Sequence, residues 1–403
     1  MHDVVIVGSG IAGLYTAYKL TKTNPNLNIR ILEKNGKKYI GGRTGNDTFY
    51  GTNVVTGAGI GRKRKDKLLM KLIEELDVPT NEFKVNHHYS ETIRECDVKS
   101  TFYEIKKEYE KRNKPDGHTF KDFALSTLGN EKYKNFIICS GYTDYEHEDA
   151  KDVLYYYGFE DNYSSWIGVG LSWKTLVEKL VNIIGAENVM CKNKVLKIEP
   201  HANDMYCLTT NRGMYITKKV VMATTINAVM SVVPGANKSD SIYQEIKGQP
   251  FLRVYGKFSK SSSEILKKYI PSVTIVPGPL QKLIPMDYEK GVYMITYNDN
   301  NSAKKIHNIS ENTKENRAVL EELIKKSLGI KEELNLISMK GYYWETGTHY
   351  YEPLGERWTS RAEFIKCAQR PYRNMYIAGE MISNNQGWVE GALESVNAII
   401  KEL

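Results

Sequence analysis

The sequence contains no run of apolar residues approaching the ~20 that a bilayer-spanning helix needs, so no membrane span is expected. Cysteine is also scarce. Cys96, Cys139, Cys191, Cys207 and Cys367 are scattered and odd in number, which fits a reducing compartment. They form no C-x-x-C pair and no Cys/His spacing of the zinc-binding kind, so no metal is expected. A first strand that starts at residue 3 leaves no room for a signal peptide, and the expected location is the cytoplasm. Internal repeats and long low-complexity tracts are absent. The formal net charge of +8 raises the question of nucleic acid. The sharpest basic cluster, GRKRKDK at 61–67, runs straight into LLMKLIEEL and reads as the solvated start of a helix. Elsewhere lysines are interspersed with glutamates, as on an ordinary solvated surface, so no nucleic-acid partner is expected.

The first ten residues of the first strand and its turn are more specific. VVIVGSGIAG (4–13) joins a β-branched run, Asp3–Val7, to glycines spaced G-x-G-x-x-G. Leu14, Ala17, Tyr18 and Leu20 then follow with helical spacing, and a second β-rich run, Ile29–Leu32, ends at Glu33. Glu33 stands 20 residues after Gly13, the spacing of an acid that binds ribose hydroxyls. Strand, glycine turn, helix, strand and acid make one dinucleotide-binding unit. Gly8 allows the tight turn, Gly10 lets the backbone approach a pyrophosphate, and Gly13 lets the helix pack on the sheet. The helix N-terminus supplies N–H groups and partial positive charge. The acid argues against NADP but does not separate NAD from FAD.

The 403 residues, 41% of them hydrophobic, suggest two or three domains with a substantial core. Leu68–Leu76 reads as an amphipathic helix. Residues 77–164 are rich in charge and tyrosine, and the aromatic stretch YYYGFEDNYSSW (155–166) fits a core or a substrate wall equally well. Leu171–Ile184 reads as a helix. Short strands follow at Asn188–Cys191, Val195–Ile198, Met205–Thr209, Met214–Ile216 and Val220–Ala223, with a hairpin turn at NRG (211–213). A helix near Glu315–Leu328 is closed by Gly329, and the chain ends in a strand (Met375–Ala378), a loop and a helix. The α/β character comes in three blocks. The expected fold is therefore α/β, with a Rossmann-like domain discontinuous in sequence (1–76, 165–242 and 351–403) and an inserted α+β substrate-binding domain (77–164 and 243–350).

Two further stretches, YIGGRTGN (39–46) and MYIAGEMISNNQGWVEGALESV (375–396), bear on the cofactor. With them the chain resembles the flavin-containing amine oxidase superfamily, which includes monoamine, polyamine and L-amino-acid oxidases. The resemblance runs through nearly the whole chain in order and is weakest at 77–164. It implies FAD. Gly8, Gly10, Ile11, Ala12 and Gly13 match the phosphate loop, and Glu33 with Lys34 the ribose acid. Gly41, Gly42 and Arg43 match a G-G-R near pyrophosphate and flavin, where a guanidinium suits a phosphate. Gly57, Ala58, Gly59 and Ile60, in TGAGIG, match the turn that passes the flavin ring. Val195 matches the residue whose backbone meets adenine. Gly379 and Glu380 match the A-G-E step, and Gly387, Trp388 and Val389 the segment over the flavin, where a helix N-terminus favours negative charge.

The resemblance also implies a chemistry. A hydride leaves a C–H next to nitrogen for flavin N5, the imine hydrolyses, and oxygen reoxidises the flavin to give hydrogen peroxide. The substrate is a small amine or amino acid, and a homodimer is left open as an assembly. The amine must react neutral, and a dry aromatic pocket lowers an ammonium's pKa. Trp388 matches one aromatic wall, and Tyr351 falls near the facing one, with Tyr350, His349 and Trp344 as alternatives in that loop. The position where monoamine oxidases attach flavin through a cysteine is Gly347 here, so non-covalent FAD is expected. The position of the family's lysine near N5 is Arg253, which could hold a water, bind a substrate carboxylate or face solvent. A polyamine would need pocket carboxylates, and DYEHED (144–149) is a candidate that reads more readily as a solvated loop. An amino acid would need an arginine, either Arg62 or Arg253. A desaturase or protoporphyrinogen-oxidase type of flavoenzyme and a non-catalytic flavin-binding module are the competing readings on the same fold.

Overall fold

The computed structural model describes residues 1–93 and 95–403. A seven-stranded sheet has the order Val195–His201, Met205–Thr210, Gly213–Met222, β1 (His2–Val7), β2 (Ile29–Leu32), Val189–Met190, and Met375–Ile377 also pairs with the Gly213–Met222 strand. β1 is parallel to both neighbours. Val4 and Ile6 face the helix α1 (Ile11–Thr23), while Val5 and Val7 face a second apolar cluster that includes Leu208, Met222 and Ile377. A strand buried on both faces reads as an unbroken apolar run.

Two expected elements change. Met214–Ile216 and Val220–Ala223 are parts of one strand. Its first half pairs antiparallel with Met205–Thr210, its second half parallel with Met375–Ile377, and β1 spans the junction. The polar residues between them broke the apolar pattern, but Lys218 bonds Asp3 at 2.8 Å. The helix expected from Leu171 starts at Trp173, because Ser172 caps it by accepting the Thr175 N–H and Leu171 ends the strand Trp166–Leu171. The helix Lys314–Leu328 does close at Gly329, whose φ is +74°.

The second sheet has the order Leu336–Tyr351, Ile246–Phe258, Val292–Asp299, Lys282–Asp287, Val273–Ile275 and His87–Tyr89. The two inserted segments therefore meet in one sheet, through His87–Tyr89 beside Val273–Ile275. A three-stranded sheet of Gly61–Arg62, Trp166–Leu171 and Thr80–Val85 links them to the first layer. The helices Val98–Lys111, Phe120–Leu128, Asn130–Ser140 and Ala150–Tyr155 close on an aromatic core in which Phe159 stacks on Phe102 at 4.8 Å and on Phe136 at 5.3 Å. Residues 155–166 thus divide, with Phe159 in the core while Tyr156 and Tyr157 line a cleft.

The scattered cysteines gave no sign of pairing, yet Cys96 and Cys139 form a disulfide across 43 residues, with Cα atoms 5.5 Å apart. Cys191, Cys207 and Cys367 are free. The helix Asn130–Ser140 brings Cys139 to the loop before Val98–Lys111, a proximity that no sequence spacing encodes. A thiol titration of the unfolded chain is expected to find three thiols without reductant and five with it. Five in both conditions would show that the bond does not form.

Candidate functional site

The glycine loop folds into a cradle. A Cβ on Gly8 would come 2.4 Å from the Ala223 carbonyl oxygen, and one on Gly13 would come 2.1 Å from that of Gly8. A Cβ on Gly10 would meet nothing within 4 Å, so the loop opens there and only there. No side chain caps α1, and its first turn holds no acid. Its leading N–H groups, including those of the buried Ile11 and Ala12, are left for an anion. Gly41 and Gly42, both at positive φ, close over this loop: Gly41 donates to the Ser9 carbonyl at 2.8 Å. This cradle fits a pyrophosphate.

Glu33, at the end of β2, is buried. It accepts from the Ser9 N–H (3.1 Å), the Ser9 hydroxyl (2.7 Å) and the Asn35 N–H (2.8 Å). It therefore braces the phosphate loop in addition to any ribose contact. Lys34 beside it is exposed. The Asn193 N–H bonds the Glu33 carbonyl at 2.8 Å, which brings the segment leading to Val195 alongside the acid.

Glu380 gathers the other motifs. It accepts from Arg43 Nη1 at 2.7 Å, from His349 Nδ1 at 2.5 Å and from the Gly387 N–H at 2.9 Å. His349 Nε2 accepts the Ile226 N–H, which leaves the ring proton on Nδ1, facing Glu380. The same Arg43 nitrogen reaches the Gly347 carbonyl at 2.7 Å. Gly379 precedes this carboxylate at φ +138°, with its N–H on the Ser395 hydroxyl. Burial on its own would raise the Glu380 carboxyl. His349, Arg43 and the Gly387 N–H overcome it and hold the group at about 2.

The turn Thr56–Gly61 is clamped from three sides. Ala58 donates to the Arg43 carbonyl at 2.7 Å, Trp344 Nε1 to Thr56 at 2.6 Å and Trp173 Nε1 to Gly59 at 3.3 Å, and half-buried Ile60 completes the turn. Arg253 reaches in from the second sheet, donates to the Gly57 carbonyl and lies 4.5 Å from the Tyr297 ring centroid. It is only 6% exposed, so it does not face solvent.

The structure also holds a narrow cleft. Trp388, which precedes the closing helix Val389–Asn397, lines it with Gly387, Thr348 and His349. Asp144, Glu148, Tyr156, Tyr157 and Gln249 also line it. The acidic stretch 144–149 therefore reaches the cleft, where a solvated loop was the readier expectation. Gln249 Oε1 and Thr348 Oγ1 are buried there without a hydrogen-bond partner. Burial, with Asp299 beside it, pushes Asp144 up to about 7. Burial, with Asp152 and Asp144 nearby, pushes Glu148 well above the usual carboxylate range.

Several candidates lie elsewhere. Tyr351 is 2% exposed, packs on Phe364 at 5.3 Å, donates to the Ser383 carbonyl and does not line the cleft, so it is core rather than a facing wall. Tyr350 sits near His147, away from the lining. Arg62 is committed to Asp66 at 2.7 Å and stacks 3.8 Å from the Trp388 ring centroid. It braces the indole from behind. Gln249 and Thr348 went unnoticed in the sequence because each is one ordinary polar residue on a long strand.

The low value at Glu380 fixes a pH dependence. A carboxylate held at about 2 against an ordinary 4.5 contributes stability that is present above pH 4.5 and lost as the pH falls towards 2. The difference corresponds to roughly 3 kcal/mol. Glu380→Gln is expected to flatten the acid limb of stability in that window, measured by denaturant unfolding between pH 5 and pH 3. Parallel acid limbs in parent and variant would show that this carboxylate is not the group that titrates.

A family profile described as an NAD(P)-binding Rossmann-like domain matches residues 6–76. An uncharacterised protein of Acanthamoeba polyphaga mimivirus is 40% identical over 53 residues, which cover 12% of this chain and 10% of that protein. The chain thus spans about a tenth of the length of that curated relative. Among solved structures, wild-type putrescine oxidase bound to putrescine matches with a TM-score of 0.77 at 14% identity, over 100% of this chain and 98% of that one. A double mutant of putrescine oxidase redesigned in its cofactor binding matches with the same coverage, at a TM-score of 0.78 and 14% identity. The described residues include no helix long and apolar enough to cross a membrane. Over its whole length the chain has the fold of putrescine oxidase, built on a Rossmann-like dinucleotide-binding unit.

Proposed function

We propose that the protein is an FAD-dependent amine oxidase that holds its cofactor non-covalently and oxidises the C–H next to the nitrogen of a small amine. The observation that carries this reading is the cleft. Its lining brings together Trp388, Gly387, Asp144 and Glu148 with the unpartnered oxygens of Gln249 and Thr348. Carboxyl groups and lone acceptors match the N–H donors of an ammonium, and buried acceptors without partners are costly until something fills them.

The residues fit FAD. The Gly8–Gly13 loop and the start of α1 would hold the pyrophosphate, Glu33 the ribose, and the Gly41–Arg43 and Thr56–Gly61 turns the path toward the flavin. The absence of a cysteine at Gly347 supports non-covalent binding. Bound FAD supplies the hydride acceptor, which oxygen restores with release of hydrogen peroxide. The chain's part is to bind the amine's cation at the acidic wall, orient its C–H against the Trp388 side and limit water in the cleft.

An amine is favoured over an amino acid because neither Arg62 nor Arg253 lines the cleft, so no guanidinium waits for a substrate carboxylate. The polar lining also argues against a large apolar substrate of the desaturase or protoporphyrinogen-oxidase kind. Two carboxyl groups in the lining, Asp144 and Glu148, favour a diamine. The test is a peroxide assay on the purified yellow protein with putrescine, n-butylamine and a panel of amino acids, after acid precipitation has been checked to release the flavin. Peroxide from the amines, with putrescine foremost, is expected. Flavin left in the pellet would refute non-covalent binding. Peroxide from amino acids alone, or from no substrate while FAD is bound, would refute the amine reading.

Trp388→Ala opens the cleft on the side that orients the substrate. Small misplacements of a reacting centre cost on the order of 100-fold. Anaerobic stopped-flow reduction is expected to slow by about that factor with FAD retained. Equal rates would make the indole mere packing against Arg62, and loss of flavin would make it a cofactor support.

A further inference from the structure

A group of charged side chains behind the acidic wall exceeds what holding a cation requires. Asp299 is buried and accepts from the Thr143 N–H at 2.8 Å, the Thr143 hydroxyl at 2.5 Å, the Asp144 N–H at 3.1 Å and the Gln281 amide at 2.8 Å. These bonds lock the turn that carries Asp144. Gln249 adds a bond from its amide to the Asp144 carbonyl at 2.9 Å. Lys282, fully buried, has no hydrogen-bond partner for its Nζ, which lies against the face of Tyr142. On Asp144 itself the Tyr157 hydroxyl bonds Oδ1 at 2.7 Å. Among the described residues no side chain donates to Oδ2. One oxygen is held in place, the other has no side-chain donor, and the residue lines the cleft.

An amine arrives at neutral pH as an ammonium, but oxidation next to nitrogen needs the lone pair free. A group in the cleft has to take a proton. The geometry points to Asp144 Oδ2 as that acceptor. The N–H bond breaks with its electron pair staying on nitrogen, an O–H bond forms on Asp144, and neutral amine and neutral carboxyl remain hydrogen-bonded. This role rests on the amine-oxidase reading above and deepens it.

The neighbours single out Asp144. His349 has both ring nitrogens engaged, by Ile226 and Glu380. Burial, with Asp152 and Asp144 nearby, raises Glu148 well above the usual carboxylate range and so favours its neutral form. Asp144 is raised by burial and by Asp299, while Tyr157 and Lys282 oppose the rise, and the balance leaves it at about 7. A base near the working pH is ionised when the ammonium arrives and still basic enough to take its proton. Tyr142 and Tyr145 flank it from its own segment, Arg253 stands behind Tyr142 and Lys282, and the facing strands contribute the uncharged Gln249 and Thr348.

The test is the pH profile of anaerobic flavin reduction with putrescine and with n-butylamine. The parent rate is expected to rise with pH through about 7 and then level off. Asp144→Asn is expected to be about 100-fold slower at pH 7 and to lose the plateau, climbing towards the amine's own pKa because only free amine then reacts. Asp144→Glu is expected to restore a plateau with a shifted midpoint. FAD content and melting temperature identify a misfolded variant, in which case Asp144→Glu carries the test alone. Binding of butyltrimethylammonium, which has no proton to give, is followed by the flavin absorbance change and is expected to weaken no more than tenfold in Asp144→Asn. An unchanged plateau in Asp144→Asn, or an unshifted one in Asp144→Glu, would overturn the proton-acceptor role while leaving the amine-oxidase reading intact. Failure of the parent to be reduced by any amine would overturn that reading instead, and the proton-acceptor role with it.

Discussion

Glu380 is the point at which the molecule is tied together. Its carboxylate takes Arg43 from the arm over the phosphate loop, His349 from the longest strand of the second sheet and the Gly387 N–H from the loop before the closing helix. Three stretches distant in sequence therefore share one buried anion. Removing one partner from such a group leaves the others uncompensated, which costs more than the pair contributes in isolation. The arm over the glycine loop, the strand that carries His349 and the loop before the closing helix are joined at this centre. Through His349 it also reaches the N-terminus of the helix that starts at Ile226.

What was legible in the sequence was local. The glycine loop, Glu33 and the following helix depend on residues a few positions apart, so their spacing carried their geometry. The G-G-R and A-G-E steps were legible as motifs, although the ion pair between Arg43 and Glu380 spans 337 positions and could not be read from either alone. The cleft was not legible. Asp144 and Glu148 read as a solvated loop because an acidic run usually is one, whereas Asp299, Gln249 and Tyr157, all distant in sequence from one another or from the run, hold the turn at Asp144. Gln249 and Thr348 carried no pattern at all. Tyr351 failed for the opposite reason: an aromatic near a proline-glycine step looked like a wall, but its hydroxyl finds Ser383 and its ring finds Phe364 in the core. The Cys96–Cys139 bond was hidden by the even scatter of the five cysteines.

The cleft and the cradle differ in how they treat charge. The cradle offers N–H groups and a helix terminus to an anion, and its only acid, Glu33, is turned back onto Ser9 and Asn35. The cleft offers carboxyl groups and unpartnered oxygens to a cation. Arg62, Arg253 and Lys282 are all withdrawn behind its walls, against Trp388, Gly57 and Tyr142.

The strands Ile246–Phe258 and Leu336–Tyr351 pair along nearly their whole length. Their paired ends, Ile246 and Tyr351, are buried in the core of the first layer, while Phe258 and Leu336 are buried in that of the second. They act as a stiff beam driven through both halves of the molecule. Jaw-like opening would have to bend or tear that beam, breaking a row of backbone hydrogen bonds at once. Traffic into the cleft therefore belongs to its rim, where Asn384 is exposed and the Asn385–Gly387 loop lies at the surface.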